Sequence, residues 1–221
     1  MFHITKSTFD FLKDLKKNNY REWFQANRKR YDAASGEFLN LVSAIVKDLM
    51  TFDPEIGSIN PKDAVFRIYR DVRFSSDKSP YKTHMGAYFV KGGKQSGNAG
   101  YYLHLDPEGS FAAGGVWQPL PDILKAVRTE IYENLDEFKS IIRNEVFIDT
   151  FGEIEGEKLK IPPKGFPKEF PGMELLIYKS YTVFRNIPVK TVLSDQLLEE
   201  ISRIFRLMLP FNRFINYAIE G

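Results

Sequence analysis

Cysteine is absent from this 221-residue chain, which removes disulfides, thiolate metal sites and cysteine nucleophiles together. Such a composition fits a reducing cytoplasm. Charge of one sign is also lacking: 31 Lys and Arg face 29 Asp and Glu, so the surface as a whole has no strong positive field. A general nucleic-acid binder is therefore not expected. No apolar run approaches the roughly 20 residues that a membrane span needs. The opening MFHITKSTFDFLKDLKKNNY breaks its apolar positions with Lys and Asp, unlike the core of a secretory leader. The expectation is a soluble cytoplasmic protein with no membrane partner.

What is present suffices for one large core, with 43% hydrophobic and 14% aromatic residues, and a single domain over residues 1–221 is expected. Phe9, Leu12 and Leu15 predict a short amphipathic helix from Ser7, with Ser7 or Thr5 accepting from its first free amides. A register through Trp23, Asn27, Tyr31, Ala34, Phe38, Leu41, Ile45 and Leu49 predicts a second, longer helix bent near Ser35-Gly36. The period then changes to two. In AVFRIYRDVRF, Phe66, Ile68, Val72 and Phe74 share one strand face with Arg70, while Val65, Arg67, Tyr69, Asp71 and Arg73 share the other. MGAYFV, GYYLHL and SFAAGGVW read as three further strands, and their connections are too short for parallel crossovers. Four consecutive strands imply an antiparallel meander.

Pro121 opens a helix through Ile123, Leu124, Val127 and Ile131, and another covers Leu135 to Arg143. Residues 152–172 read as an extended loop that packs Leu159, Ile161, Phe166 and Phe170 on the body, and LLIYKSYTVFRNI is strand-like. Ser194 opens a last helix that Pro210 should end or kink. The fold class is α+β: a central antiparallel sheet of four or more strands between N-terminal and C-terminal helices, with one sheet face partly open.

The chemistry concentrates in RIYRDVRFSSDKSPYKTH, residues 67–84. Arg67, Arg70, Arg73, Lys78 and Lys82 oppose only Asp71 and Asp77, a local surplus of three positive charges. Guanidinium forks at Arg67 and Arg73, oriented by Asp71, can grip a phosphate or carboxylate, and the following hydroxyls, lysines and imidazole add donors. The structural alternative is a ladder of solvated pairs that contributes little. Arg70 shares an apolar face, so it must find a carboxylate, a carbonyl or a bound anion. His84 is the proton carrier nearest neutral pH, with Asp71 as its catalytic companion.

Other constellations are weaker. His84, His104 and Asp106 would form a set of two imidazoles and one carboxylate if two strands pair suitably, but no local motif such as HExxH supports it. GNAG and GG match no phosphate-binding loop, and Ser75, Ser76 and Ser79 lie in no GxSxG elbow. Trp23 and Phe24 among Arg21, Arg28, Lys29 and Arg30 can stack bases, or can simply be the core side of an amphipathic helix. The patterns thus call for an anionic small-molecule ligand, with no cofactor and no bound metal. A nucleic-acid or protein interaction module on the same basic face is the alternative. Oligomeric state is not legible.

Four blocks carry a resemblance: NNYREWFQANRKRY, FRIYRDVRFSSDKSPYKTHMGAYF, GYYLHLDPEGSFAAGGVWQP and LKIPPKGFPKEFPGMELLIYKSY. In order and spacing they resemble the bacterial family catalogued as domain of unknown function 2461. The resemblance implies a full-length, stand-alone cytoplasmic unit and supplies no activity. Trp23, Phe24, Arg67, Arg70, Asp71, Arg73, Asp77, Lys78, Tyr81, Lys82 and His84 fall on its motif positions, which adds Tyr81 to the candidate ligand-binding residues.

Overall fold

A computed structural model describes residues 4–221. Helix α1 (Lys6–Lys17) buries Phe9, Phe11, Leu12 and Leu15, as its spacing requires. Thr5 takes the N-cap position, but its hydroxyl bonds Ser7 and donates to the Glu37 carboxylate at 3.2 Å instead of capping an amide. A charged acceptor on the neighbouring helix outcompetes the local cap.

The expected long second helix divides at Asn27, not at Ser35-Gly36. Helix α2 (Arg21–Ala26) stops where the Asn27 side chain donates to the Trp23 carbonyl, the backbone competition typical of asparagine. Helix α3 (Arg28–Phe52) runs through Gly36 without a break. The propensity penalty of one glycine, about 1 kcal/mol, is small beside the burial of Ala34, Phe38, Leu41, Val42, Ile45 and Leu49. A 3₁₀ turn (Pro54–Ile56) and α4 (Pro61–Ala64) lead toward the sheet.

The sheet is an antiparallel meander in the order β1 (Met85–Phe89), β2 (Gly100–Leu105), β3 (Ser110–Val116) and β4 (Tyr181–Ile187). Residues 65–74 are not one of its strands, contrary to the alternation. They form an arm that meets β1 at an isolated Val65–Ala87 bridge, where the Phe66 amide donates to the Gly86 carbonyl at 2.9 Å, and then doubles back on itself at Tyr69–Tyr81. Of the supposed apolar face only Ile68 is buried, and Phe74 is 96% exposed. A strand holding Arg70 among those residues would have required a buried guanidinium, and folding the segment outward avoids that cost. The fourth strand comes instead from the strand-like stretch before Pro188.

Between β3 and β4 lie α5 (Pro121–Glu133), α6 (Leu135–Ile142), α7 (Glu145–Phe151) and α8 (Met173–Leu176). In the intervening loop Phe166 and Phe170 pack on Tyr132 with ring centroids 5.6 and 4.8 Å away, whereas Ile161 is exposed, not packed. After α9 (Val189–Val192), α10 (Leu197–Glu220) crosses the sheet, starting three residues after Ser194. Pro210 neither ends nor divides it. That residue lies on the solvent side, where a missing backbone bond is least costly, while Met208 and Phe211 beside it are buried.

One sheet face is the core: Tyr101, Leu103, Leu105, Ala112, Tyr181 and Val183 pack in a cluster with Ile201, Ile204, Phe205, Met208 and Ile215 of α10. At Gly114 a Cβ would stand 2.8 Å from the Met208 sulfur, so glycine is what lets helix and sheet approach. The opposite face presents Tyr88, Tyr102, His104, Phe111, Ala113 and Phe184, all half-buried. No helix among the described residues is long and apolar enough to cross a membrane.

Phe205 is 1% exposed and packs on Phe89 and Tyr101. Phe205→Ala should therefore cost about 3–5 kcal/mol in urea unfolding. Phe74→Ala on the arm should stay within about 0.5 kcal/mol of the parent. A large loss at Phe74 would mean that the arm is a core strand after all.

Candidate functional site

The arm separates into a tip and a root. At the tip, Arg73 donates through Nε and Nη2 to both oxygens of Asp71, at 3.0 and 2.6 Å, with both side chains in solvent. That pairing holds the Asp71 carboxyl down to about 2. Arg70 answers its burial problem with the Asp77 carboxylate and the Ser79 carbonyl, the latter at 3.1 Å. Asp77 is likewise held down to about 2, first by the Ser79 hydroxyl and amide and then by Arg70. Lys78 donates to the Val72 carbonyl at 2.9 Å. Tyr81 is buried, stacked on Phe24 at 4.0 Å, and its backbone is clamped on both sides by the Asn19 amide. The tip residues are thus bonded to one another, and Tyr81 anchors the arm to α2.

The root differs. Lys82 donates to the Arg67 carbonyl at 3.0 Å, and Lys94 to the Val65 carbonyl at 2.9 Å. Both ammonium groups lie over the Phe66 ring, 5.2 and 4.6 Å from its centroid. Burial lowers both lysine pKa values, and for Lys82 the nearby Arg67 and Lys94 charges lower it further. Arg67, Lys82 and Lys94 form no ion pair with any carboxylate among the described residues. Lys94, from the glycine-rich loop after β1, had no local signal to mark it. Only the turn brings it to Phe66.

Beside the root lies an imidazole pair that the strand register creates. Met85 faces Leu105 and Gly86 faces His104, so continuing the ladder sets His84 opposite Asp106. Positions 84, 104 and 106 then share the outer sheet face, since strand side chains alternate. The two imidazole centroids are 4.2 Å apart, and His104 stacks on Phe111 at 4.6 Å and 15°. Tyr102 Oη lies 3.0 Å from His104 Nδ1. Gly86 is what admits that phenol, because a Cβ there would stand 2.7 Å from the Tyr102 hydroxyl. Asp106 accepts the Glu108 amide at 2.8 Å. One ligand atom from each of His84, His104 and Asp106 lies within 4.8 Å of the other two. Burial and then the His84 neighbour push His104 down to about 4; burial and Lys82 also lower His84.

Of the residues expected from sequence, Arg67, Lys82 and His84 come together here. Arg70, Asp71, Arg73 and Lys78 stay at the tip. The charged neighbours that act on His84 are Lys82 and Asp106, not Asp71. Phe66, Tyr102 and Phe111 complete the wall; their aromatic character was visible, their common face was not.

A family model described as "Conserved hypothetical protein (DUF2461)" matches residues 7–214, which include the arm, the whole sheet and most of α10. The chain belongs to the DUF2461 family. No curated protein and no solved structure matches it. The family description names no activity, so function must be argued from the site itself.

The depressed histidines make stability depend on pH. Above about pH 6.5 both the folded and unfolded chains hold His104 neutral. As pH falls toward about 4 the unfolded chain takes up a proton that the folded one refuses, so stability declines through that window and levels below it. Urea midpoints measured at pH 7, 6, 5 and 4.5 on EDTA-treated protein should therefore fall more steeply for the parent than for His104→Asn. Equal slopes would show that the ring is solvated.

Proposed function

We propose that the root of the arm and the open sheet face bind a phosphorylated or carboxylated small molecule. Arg67, Lys82 and Lys94 supply the positive charge, Phe66 and Tyr102 an apolar wall, and His84 the group that can exchange a proton with the ligand. The observation that carries this reading is the pair of lysines over Phe66: the Lys94 and Arg67 charges act against Lys82, both lysines are partly desolvated, and no carboxylate among the described residues forms an ion pair with any of the three, Asp63 acting on Lys94 only electrostatically. A like-charge group of that kind is relieved by an anion. Arg70 and Arg73 are committed to the carboxylates of Asp77 and Asp71, and Lys78 sits with them at the tip, on the Val72 carbonyl and not over Phe66, so they rank behind the root as donors. In a chain of net charge +2, two lysines set over one aromatic ring with an arginine charge acting on one of them suit a compact anion better than a long nucleic-acid backbone.

Thermal shift with a panel of phosphorylated and carboxylated metabolites, in EDTA, tests this. A true ligand at a hundred times its Kd should stabilise the fold by about 2.7 kcal/mol. Lys82→Ala and Arg67→Ala should each remove most of that shift, and Arg73→Ala should keep it. If no anion stabilises the protein, or if Arg73→Ala is as damaging as Lys82→Ala, the root is not the site. Binding to DNA with a steep salt slope would instead support the interaction-module alternative.

A further inference from the structure

We propose that His84, His104 and Asp106 hold a divalent first-row transition-metal ion on the outer face of the sheet. Adjacent strands place all three: His104 lies inside β2, Asp106 follows it two positions on, and His84 immediately precedes β1 opposite Asp106. Ligands borne on paired strands hold their spacing better than ligands on loops.

The donor atoms lie within 4.8 Å of one another, yet neither a hydrogen bond nor an ion pair joins the three side chains. Donors on an ion at about 2.0–2.2 Å sit roughly 3–4 Å apart, so modest side-chain rotation closes the set. The His84 ring makes no hydrogen bond with the described residues despite being half-buried, so its nitrogens are free to ligate.

The other two donors are already oriented by outer partners, as metal ligands usually are. His104 has its ring against Phe111 and Nδ1 against the Tyr102 phenol; with Nδ1–H donating to that oxygen, the Nε2 lone pair is left for a ligand. Asp106 uses Oδ1 for the Glu108 amide, leaving Oδ2. Two nitrogens and one carboxylate oxygen suit zinc, iron(II), cobalt or manganese rather than calcium or magnesium, which prefer oxygen. Three protein ligands leave coordination positions open. With the ion bound, the free electron pair of His84 is given to metal and not to a proton. This assignment goes beyond the anion reading and does not depend on it.

The test uses the full chain without a histidine tag, stripped with EDTA and then titrated calorimetrically with Zn²⁺, Co²⁺, Mn²⁺ and, anaerobically, Fe²⁺. One equivalent should bind, with a visible Co²⁺ spectrum reporting nitrogen and oxygen ligation. Asp106→Asn and His104→Gln should weaken affinity by more than the 10–100-fold typical of losing an outer partner, and Tyr102→Phe by about that 10–100-fold. Arg73→Ala should change nothing. Asp106→Asn keeps an oxygen for the Glu108 amide, and His84→Gln removes a ring that makes no hydrogen bond with the described residues, so at least one variant should fold; circular dichroism checks this. No stoichiometric binding of any of the four ions overturns the site. So does binding that these ligand substitutions leave within twofold, which would mark adventitious surface histidines. Anion binding in EDTA lost in Lys82→Ala, together with absent metal binding, overturns the ion site and spares the anion reading; metal binding without any anion effect does the reverse.

Discussion

The pairing of Gly86 with His104 is the constraint on which the rest of the site depends. A slip of one residue between β1 and β2 would send His104 into the core and Leu103 or Leu105 into solvent. The register is held from the other side of the sheet. Ala87, Phe89, Tyr101, Leu103 and Leu105 are buried in the cluster that α10 closes, and polar bonds add direction to that packing. Asn212 donates to the Gly100 carbonyl at 3.1 Å, Asn216 bonds both the amide and the carbonyl of Ala99, and the Tyr101 hydroxyl donates to buried Asp53 at 2.8 Å. Hydrophobic burial on one face thus determines which polar groups meet on the other.

The arm shows how burial sorts similar charges into different roles. At its tip both arginines pair with carboxylates and Lys78 bonds a carbonyl, all in water where ion pairs contribute little, so the tip can be a solvated structure with no guest. At its root Lys82 and Lys94 lie over Phe66, itself against Tyr102, and there desolvation together with the Arg67 and Lys94 charges disfavours the charged form of Lys82. Tyr81 stacked on Phe24, with the Asn19 clamp, sets where the tip ends and the root begins.

Much of the fold was legible. The period of α1, the three glycine-separated strands, the proline start of α5 and the run of α10 all report local burial, and each was readable from spacing. Residues 65–74 misled because alternation says only that a segment has two faces, not that a core is available to either. Asn27 and Pro210 misled in opposite directions: an asparagine side chain competed successfully with the helix, while a proline on the solvent side did not prevail against the burial around it. For the site, the cation-rich segment was evident, and so were the three residues of the imidazole and carboxylate set as separate letters.

By itself, then, the amino-acid sequence determined the α+β class, the near-neutral charge with one basic segment, and the chemistry available to that segment, because these follow from composition and short-range periodicity. Only the tertiary structure decided that the basic segment splits into a paired tip and an unpaired root, that Lys94 joins it, and that His84, His104 and Asp106 converge. Those outcomes rest on strand register and on packing between residues far apart in the chain, and both are set by how the whole core fills rather than by any local pattern.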